Sequence, residues 1–347
     1  MKEKILIGTY TKKDSKGIYE ITLDTATKKL EDLRVVAEIE NPTYLALSKD
    51  NRFLFSVSRV NEEGGTSAFA KQADGTFKFI NAVTSPGAPP CYIGVDQNDH
   101  FVFSPNYHKG TMDVLEIHED GHLSLTDIVK HEGKGPNEAR QDGPHTHYGD
   151  LTPDGKYVVV CDLGTDEVYT YAVDAAGHLT KAAVYQATPG QGPRHLVFHP
   201  NGQLAYLFTE LSSEVVVLSY NAETGEFKEV QTVPTLPADF TGTSIGAAIR
   251  ISKDGQFVYA SNRGHESLAV FAVAADGTLS LVQHISVEGK HPRDFDLDPT
   301  NQFVVVANQE TDNLTLFERD AETGQLTLLQ KDVYAPEAVC VTFSTEK

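Results

Sequence analysis

The chain has 347 residues with 40% apolar content, enough for a large core, and no apolar run approaches the roughly 18 residues of a membrane-spanning helix. Its formal net charge of −20 argues against nucleic acid or an anionic membrane surface as a partner. The three cysteines (Cys91, Cys161 and Cys340) lie far apart beside apolar strand patterns, which argues against a disulfide framework or zinc site and for buried reduced thiols.

In chain order, the start MKEKILIGTY reads as a charged tip followed by a strand. It has neither the apolar h-region nor the cleavage site of a secretory signal, so a cytoplasmic location is the expectation. A hairpin, GIYEITLDTATKKLEDL, follows. From residue 45 one unit recurs: an apolar strand, a turn built on Asp or Asn, and a second apolar strand. It reads LALSKDNRFLFSVS (45–58), IGVDQNDHFVFSPN (93–106), GDLTPDGKYVVVCD (149–162), LVFHPNGQLAYLFT (196–209), IRISKDGQFVYASN (249–262) and FDLDPTNQFVVVAN (295–308). The residue after each first strand (Ser48, Asp96, Thr152, His199, Ser252 and Asp298) marks a spacing of 46 to 56 residues, which fits a four-stranded propeller blade.

Between these anchors lie hairpins with Asp-Gly or Thr-Gly tips, such as ESLAVFAVAADGTLSLV, a strong signal for paired strands. There are seven such hairpins against six complete anchors. The seventh anchor is split, with PEAVCVT (336–342) as its first half and KILIGTY (4–10) as its second. The sequence therefore predicts an all-β, seven-bladed β-propeller, one domain over 1–347, with four-stranded antiparallel blades and one blade closed by the N- and C-terminal strands. Closure removes the exposed edges that are the general hazard of antiparallel sheets.

The repeat also predicts where a site would sit. With the first strand of each unit innermost, residues just before it and just after the second strand share one face and rim the central channel. The column before the inner strand reads Thr43, Cys91, His147, Arg194, Ala247, Arg293 and Glu337. The two columns after the second strand include Asn106 and Asn262, then Arg59, Tyr107, Glu210 and Arg263, with His108, His145, His195, His265 and His291 close by. Cationic and histidine side chains gathered at one mouth of so acidic a chain suggest a pocket for a small anionic molecule. The plainer reading is that Arg59 and Arg293 pair with acidic neighbours and that the histidines are hydrogen-bonded loop residues.

His145 and His147 alternate along one strand and so could share a metal. Asp150 is the only nearby carboxylate, so a catalytic or substrate-orienting role is favoured and no metal or cofactor is expected. Gly242-Thr243-Ser244-Ile245-Gly246 matches a nucleophile elbow in letters only. A proline-rich loop precedes it and a strand follows, where the motif needs a strand before and a helix after.

The stretches GTYT, DGPHTHYGDLTPDGKYV, GPRHLVFHPNGQLAYLFTEL, SKDGQFVYASNRGHESLAVF and HPRDFDLDPTNQFVVVANQETDNLTLF resemble the lactonase family of seven-bladed propellers over essentially the whole chain. That family includes bacterial propeller-type 6-phosphogluconolactonases and fungal carboxy-muconate lactonizing enzymes. The resemblance implies a metal-free site of one histidine, two arginines and a glutamate, which map onto His147, Arg194, Arg263 and Glu210. It implies hydrolysis of a sugar lactone, with 6-phosphogluconolactone as the leading substrate. Glu210 or His147 would be the general base, and Arg194 and Arg263 would bind phosphate or carboxylate and stabilise the oxyanion. Asn106, His145, His195, Asn262, His265 and Arg293 are expected to contact the substrate. A muconate-type cycloisomerase and a non-enzymatic binding propeller are the alternatives, the latter calling for an apolar face. Nothing in the sequence asks for more than a monomer.

Overall fold

Alternation of apolar and polar residues at period two becomes 28 strands among the described residues, which are 1–344 of the computed structural model, with no helix among them. The last three residues of the domain expected over 1–347 lie outside the described residues. Numbered β1 to β28 along the chain, the strands form seven four-stranded antiparallel sheets arranged as blades around a channel. The family of turns within the blades has one construction. Ser48, Asp96, Thr152, Ser252 and Asp298 each accept a hydrogen bond from the backbone N–H five residues on, at 2.6–3.2 Å. Three residues after the anchor the backbone is left-handed, at Asn51, Asp99, Gly155, Gly202, Gly255 and Asn301. Only Gly, Asn and Asp adopt that conformation cheaply, which is why the turn letters repeat.

The ring closes as the split anchor predicts. Strand β1 (Lys2–Thr9) pairs antiparallel with β28 (Ala338–Phe343), with Ile5 opposite Phe343, Ile7 opposite Val341 and Gly8 opposite Cys340. With β2 (Gly17–Asp24) and β3 (Lys29–Glu38) they complete one blade. The closed blade shares a core with its neighbour: Ile5, Ile7, Leu23 and Val341 pack with Phe303, Val305, Leu314 and Leu316. Amide side chains lace the perimeter. Gln231 accepts from Leu279 N at 2.7 Å, Gln283 from Leu326 N at 2.8 Å, and Gln330 from Leu30 N at 2.7 Å, the last bond crossing the closure.

Six further inner strands are β4 (Leu45–Leu47), β8 (Gly94–Val95), β12 (Thr146–Leu151), β16 (Pro193–Phe198), β20 (Ile245–Ile251) and β24 (Pro292–Leu297). They and β28 are the first strand of each blade in space, so the residues at their starts face one mouth of the channel. Because Ile7 is fully buried in the core that joins the closed blade to its neighbour, Ile7→Ala is expected to cost about 2–5 kcal/mol, measured as a lowered urea midpoint. A shift within error would show that closure contributes little to stability.

Candidate active site

One backbone device places the mouth-facing side chains. On β12 the register slips so that Thr146 faces Asp162 while Tyr148 faces Cys161, leaving His147 as the extra residue of a β-bulge. The same slip leaves Arg194 extra on β16, Arg293 on β24 and Val339 on β28. A bulge bends the strand and re-aims a side chain. All four bulged residues line one cavity of about 430 Å³. The closed blade's residue in this column is thus Val339, and not Glu337 as the sequence pattern suggests. The Glu337 carboxylate instead accepts from the backbone N–H groups of Lys12 at 3.0 Å and Lys13 at 2.8 Å.

At the inner end of the cavity is a buried ion cluster. Glu210, 3% exposed, follows β17 (Leu204–Thr209) and is oriented by its own backbone, which donates to Gly192 O at 2.7 Å and accepts from Gly246 N at 2.9 Å. Its Oε2 lies 2.8 Å from Arg194 Nε and 2.8 Å from Arg263 Nη2, and Arg140 Nη2 binds Oε1. Arg194 also donates to Ala247 O at 2.6 Å, and Arg263 to Gly246 O. Burial alone would raise the Glu210 carboxyl, but Arg263, Arg194 and Arg140 outweigh it and hold the group well below its ordinary range. The cations are left short of negative charge. Burial, with Arg263 alongside, pushes the Arg194 guanidinium down to about 9.

Two histidines adjoin the cluster. His147 and His195 are 4% and 3% exposed, their rings meet edge-on at 5.1 Å, and both line the cavity. Burial and the nearby Arg194 charge hold both imidazoles well below the usual histidine range, so both are neutral at physiological pH. Among the described residues, His147 Nδ1 and His195 Nε2 have no hydrogen-bond partner, and unpaired buried polar atoms of this kind call for a partner. A neutral imidazole has a free nitrogen lone pair with which to accept a proton, and of the charged neighbours it is the Glu210 carboxylate that favours the resulting imidazolium.

The structure brings His147, Arg194, His195, Glu210, Arg263 and Arg293 together at the cavity, with Thr43, Arg59, Cys91, Tyr107 and His108 also in its lining, whereas Asn106, His145, Asn262 and His265 are not part of it. Asn106 Nδ2 donates to Ala88 O at 2.9 Å and Asn262 Nδ2 to Thr235 O at 3.0 Å, so both fasten inter-blade connections. Side chains alternate along a strand, and with Arg263 turned to the cavity, Asn262 turns between blades. His145 stacks on Tyr107 at 4.3 Å and reaches Asp142 at 3.0 Å. It therefore does not share a ligand position with His147, and among the described residues no group of three or more His, Cys, Asp or Glu could hold a metal ion. His265 bonds Ser267 Oγ at 2.7 Å and packs edge-on against Phe240. Ser244 donates to Arg263 O at 3.0 Å, in the loop before β20.

Sequence reasoning passed over Arg140, Tyr10 and Lys12 as site residues. Arg140 comes from the irregular 131–145 loop, anchored by the buried Gln141, whose Nε2 donates to Leu163 O at 2.9 Å. Tyr10 is the closed blade's equivalent of Arg59, Glu210 and Arg263, visible only if that column is carried across the split anchor. Cys91 lines the cavity, but burial pushes its thiol up to about 12, which makes it a poor nucleophile.

A propeller whose bulged inner strands gather a histidine, a glutamate and several arginines matches known proteins over its full length. The family description "Lactonase, 7-bladed beta-propeller" matches residues 4–343. A 6-phosphogluconolactonase of Bacillus subtilis is 47% identical over 340 residues, covering 97% of each chain. The crystal structure of a protein from Lactobacillus plantarum is 53% identical with a TM-score of 0.97, over 99% of this chain and 100% of that one. The periplasmic gluconolactonase of Pseudomonas aeruginosa is 33% identical with a TM-score of 0.93, over 99% of both chains. The chain belongs to the lactonase family of seven-bladed β-propellers and is an enzyme of that family.

Removing the carboxylate while keeping its shape isolates its electrostatic part. Glu210→Gln leaves the buried guanidiniums without their counter-charge and is expected to cost about 3–5 kcal/mol. Because the folded carboxyl is depressed, its contribution is fully present above the ordinary value of 4.5 and is lost as pH falls below it. Urea unfolding at pH 7 and at decreasing pH should show a gap between wild type and variant that closes in acid. A constant gap would mean that packing, and not charge, is what the substitution removes.

Proposed function

We propose that this chain hydrolyses a sugar lactone and that its substrate is 6-phosphogluconolactone, opened to 6-phosphogluconate. The observation that carries this reading is the neutral His147 imidazole with an unpaired Nδ1, set beside Glu210 and its guanidiniums at the end of a cavity lined by six cationic residues. Two carboxylates line it, and one of them, Asp294, is engaged at 2.9 Å by Arg250 from outside.

In this mechanism His147 takes a proton from water as the water oxygen attacks the lactone carbonyl carbon. Glu210, too weakly basic to be the base, stabilises the imidazolium. The carbonyl oxygen becomes an oxyanion facing Arg194 and Arg263, already held in place by Glu210 and by backbone carbonyls, so little reorganisation accompanies the reaction. The tetrahedral intermediate then collapses: the bond between the carbonyl carbon and the ring oxygen breaks, and the ring oxygen takes the proton back from His147. The product is an open-chain sugar acid.

Arg194→Ala and Arg263→Ala are each expected to lower kcat by about 10²–10³, and His147→Ala by about 10²–10⁴, on freshly prepared 6-phosphogluconolactone with circular dichroism confirming a folded protein. Unchanged hydrolysis in the arginine variants would overturn these roles, and turnover of a muconate-type diacid in place of the lactone would overturn the substrate class. The base must be neutral and its folded value lies below 6.5. The acid limb of kcat/KM should therefore fall below pH 6.5, measured on unphosphorylated gluconolactone so that phosphate ionisation does not contribute.

A further inference from the structure

The cations lining the cavity fall into two arcs. Arg140, Arg194 and Arg263 converge on Glu210. Lys12, Arg59 and Arg293 lie on the closed blade and its two neighbours, Arg293 being on the blade next to that of Arg263. Among the described residues, none of this second set has a carboxylate within ion-pair distance. Lys12 Nζ stands 4.2 Å from the Tyr10 ring centre and Arg293 Cζ 5.7 Å from the same centre, so one tyrosine at the cavity carries two cations. The loop that presents Lys12 is built for the position. Glu337 spends its carboxylate on the backbone of Lys12 and Lys13 and does not reach the ammonium, and Asn41 N donates to Thr11 Oγ1 at 3.1 Å. Arg59 is fixed through its backbone N–H to Glu40 O at 2.9 Å and through Nη1 to Glu62 O at 2.9 Å.

We propose that Lys12, Arg59 and Arg293 form a subsite for a phosphate monoester and select phosphorylated over unphosphorylated lactones. The inference rests on the lactonase reading for the occupant of the remainder of the cavity. The two arcs divide the substrate. The buried arc faces the reacting carbonyl, where charge develops only in the transition state. The accessible arc meets a group that carries close to two negative charges throughout. Convergence of cations from three blades suits a tetrahedral dianion, whereas a planar carboxylate is matched by one bidentate guanidinium.

Each charge-assisted contact is worth roughly ten- to a hundredfold in affinity. Calorimetric titration with 6-phosphogluconate and with gluconate is therefore expected to show wild type preferring the phosphorylated acid by about a hundredfold or more. The Lys12→Met/Arg59→Met double variant should lose most of that preference, and the ratio of kcat/KM for the two lactones should fall in step. A variant that keeps the wild-type preference, or that loses affinity for both acids equally, overturns the subsite. If wild type opens neither lactone yet shows the preference and its loss in the variant, the hydrolytic reading falls while the subsite stands.

Discussion

Everything at the cavity depends on the pairing of β1 with β28. A propeller blade cannot bury both faces alone, so each of the seven needs two neighbours. The antiparallel register of Ile5 with Phe343 and Ile7 with Val341 supplies the last pair of contacts. The hydrogen bond that Leu30 N donates to Gln330 Oε1 repeats at this junction what Gln231 and Gln283 accept at others. The same pairing sets Tyr10 and Val339 into the ring of mouth residues, so the seam in the chain is also part of the cavity wall.

The second constraint is electrostatic. Burying Arg194 and Arg263 in a folded core is costly unless a counter-charge accompanies them. Glu210 is that charge, and it stays ionised although burial opposes it. One carboxylate between three guanidiniums leaves a surplus of positive charge inside a chain whose overall charge is −20. That surplus attracts an anionic ligand and depresses the neighbouring histidines, so the affinity for anions and the neutral resting state of His147 have one origin.

Much of this was legible in the sequence because the turns are stereochemically strict. The left-handed residue three positions after each anchor admits only Gly, Asn or Asp cheaply, and that recurrence counts the blades. Once the blades were counted, the columns brought out His147, Arg194, Glu210 and Arg263. Other features left no such trace. The same bulge recurs on β12, β16, β24 and β28, but on β28 it falls at Ala338-Val339, with neither the proline nor the polar side chain that marks it elsewhere, so the split anchor aligns two residues early, on Glu337. Asn106 and Asn262 are polar and adjacent to the mouth, yet strand alternation turns them between blades, a distinction of one residue. Arg140 sits in an irregular loop whose conformation is set by the buried Gln141, and no periodicity points to it.

Directly after Thr43, Cys91, His147 and Arg194, on four successive blades, come Tyr44, Tyr92, Tyr148 and His195. Tyr92 contacts the other three rings, with centroids 4.3 Å from Tyr44, 4.8 Å from Tyr148 and 5.3 Å from His195. Tyr44 and His195 border both the cationic cavity and a second cavity on the far side. These rings come from four of the seven blades and stand between the two cavities, so the charged chamber is faced with aromatic surface on that side, and a polar ligand meets its hydrogen-bonding partners at the other.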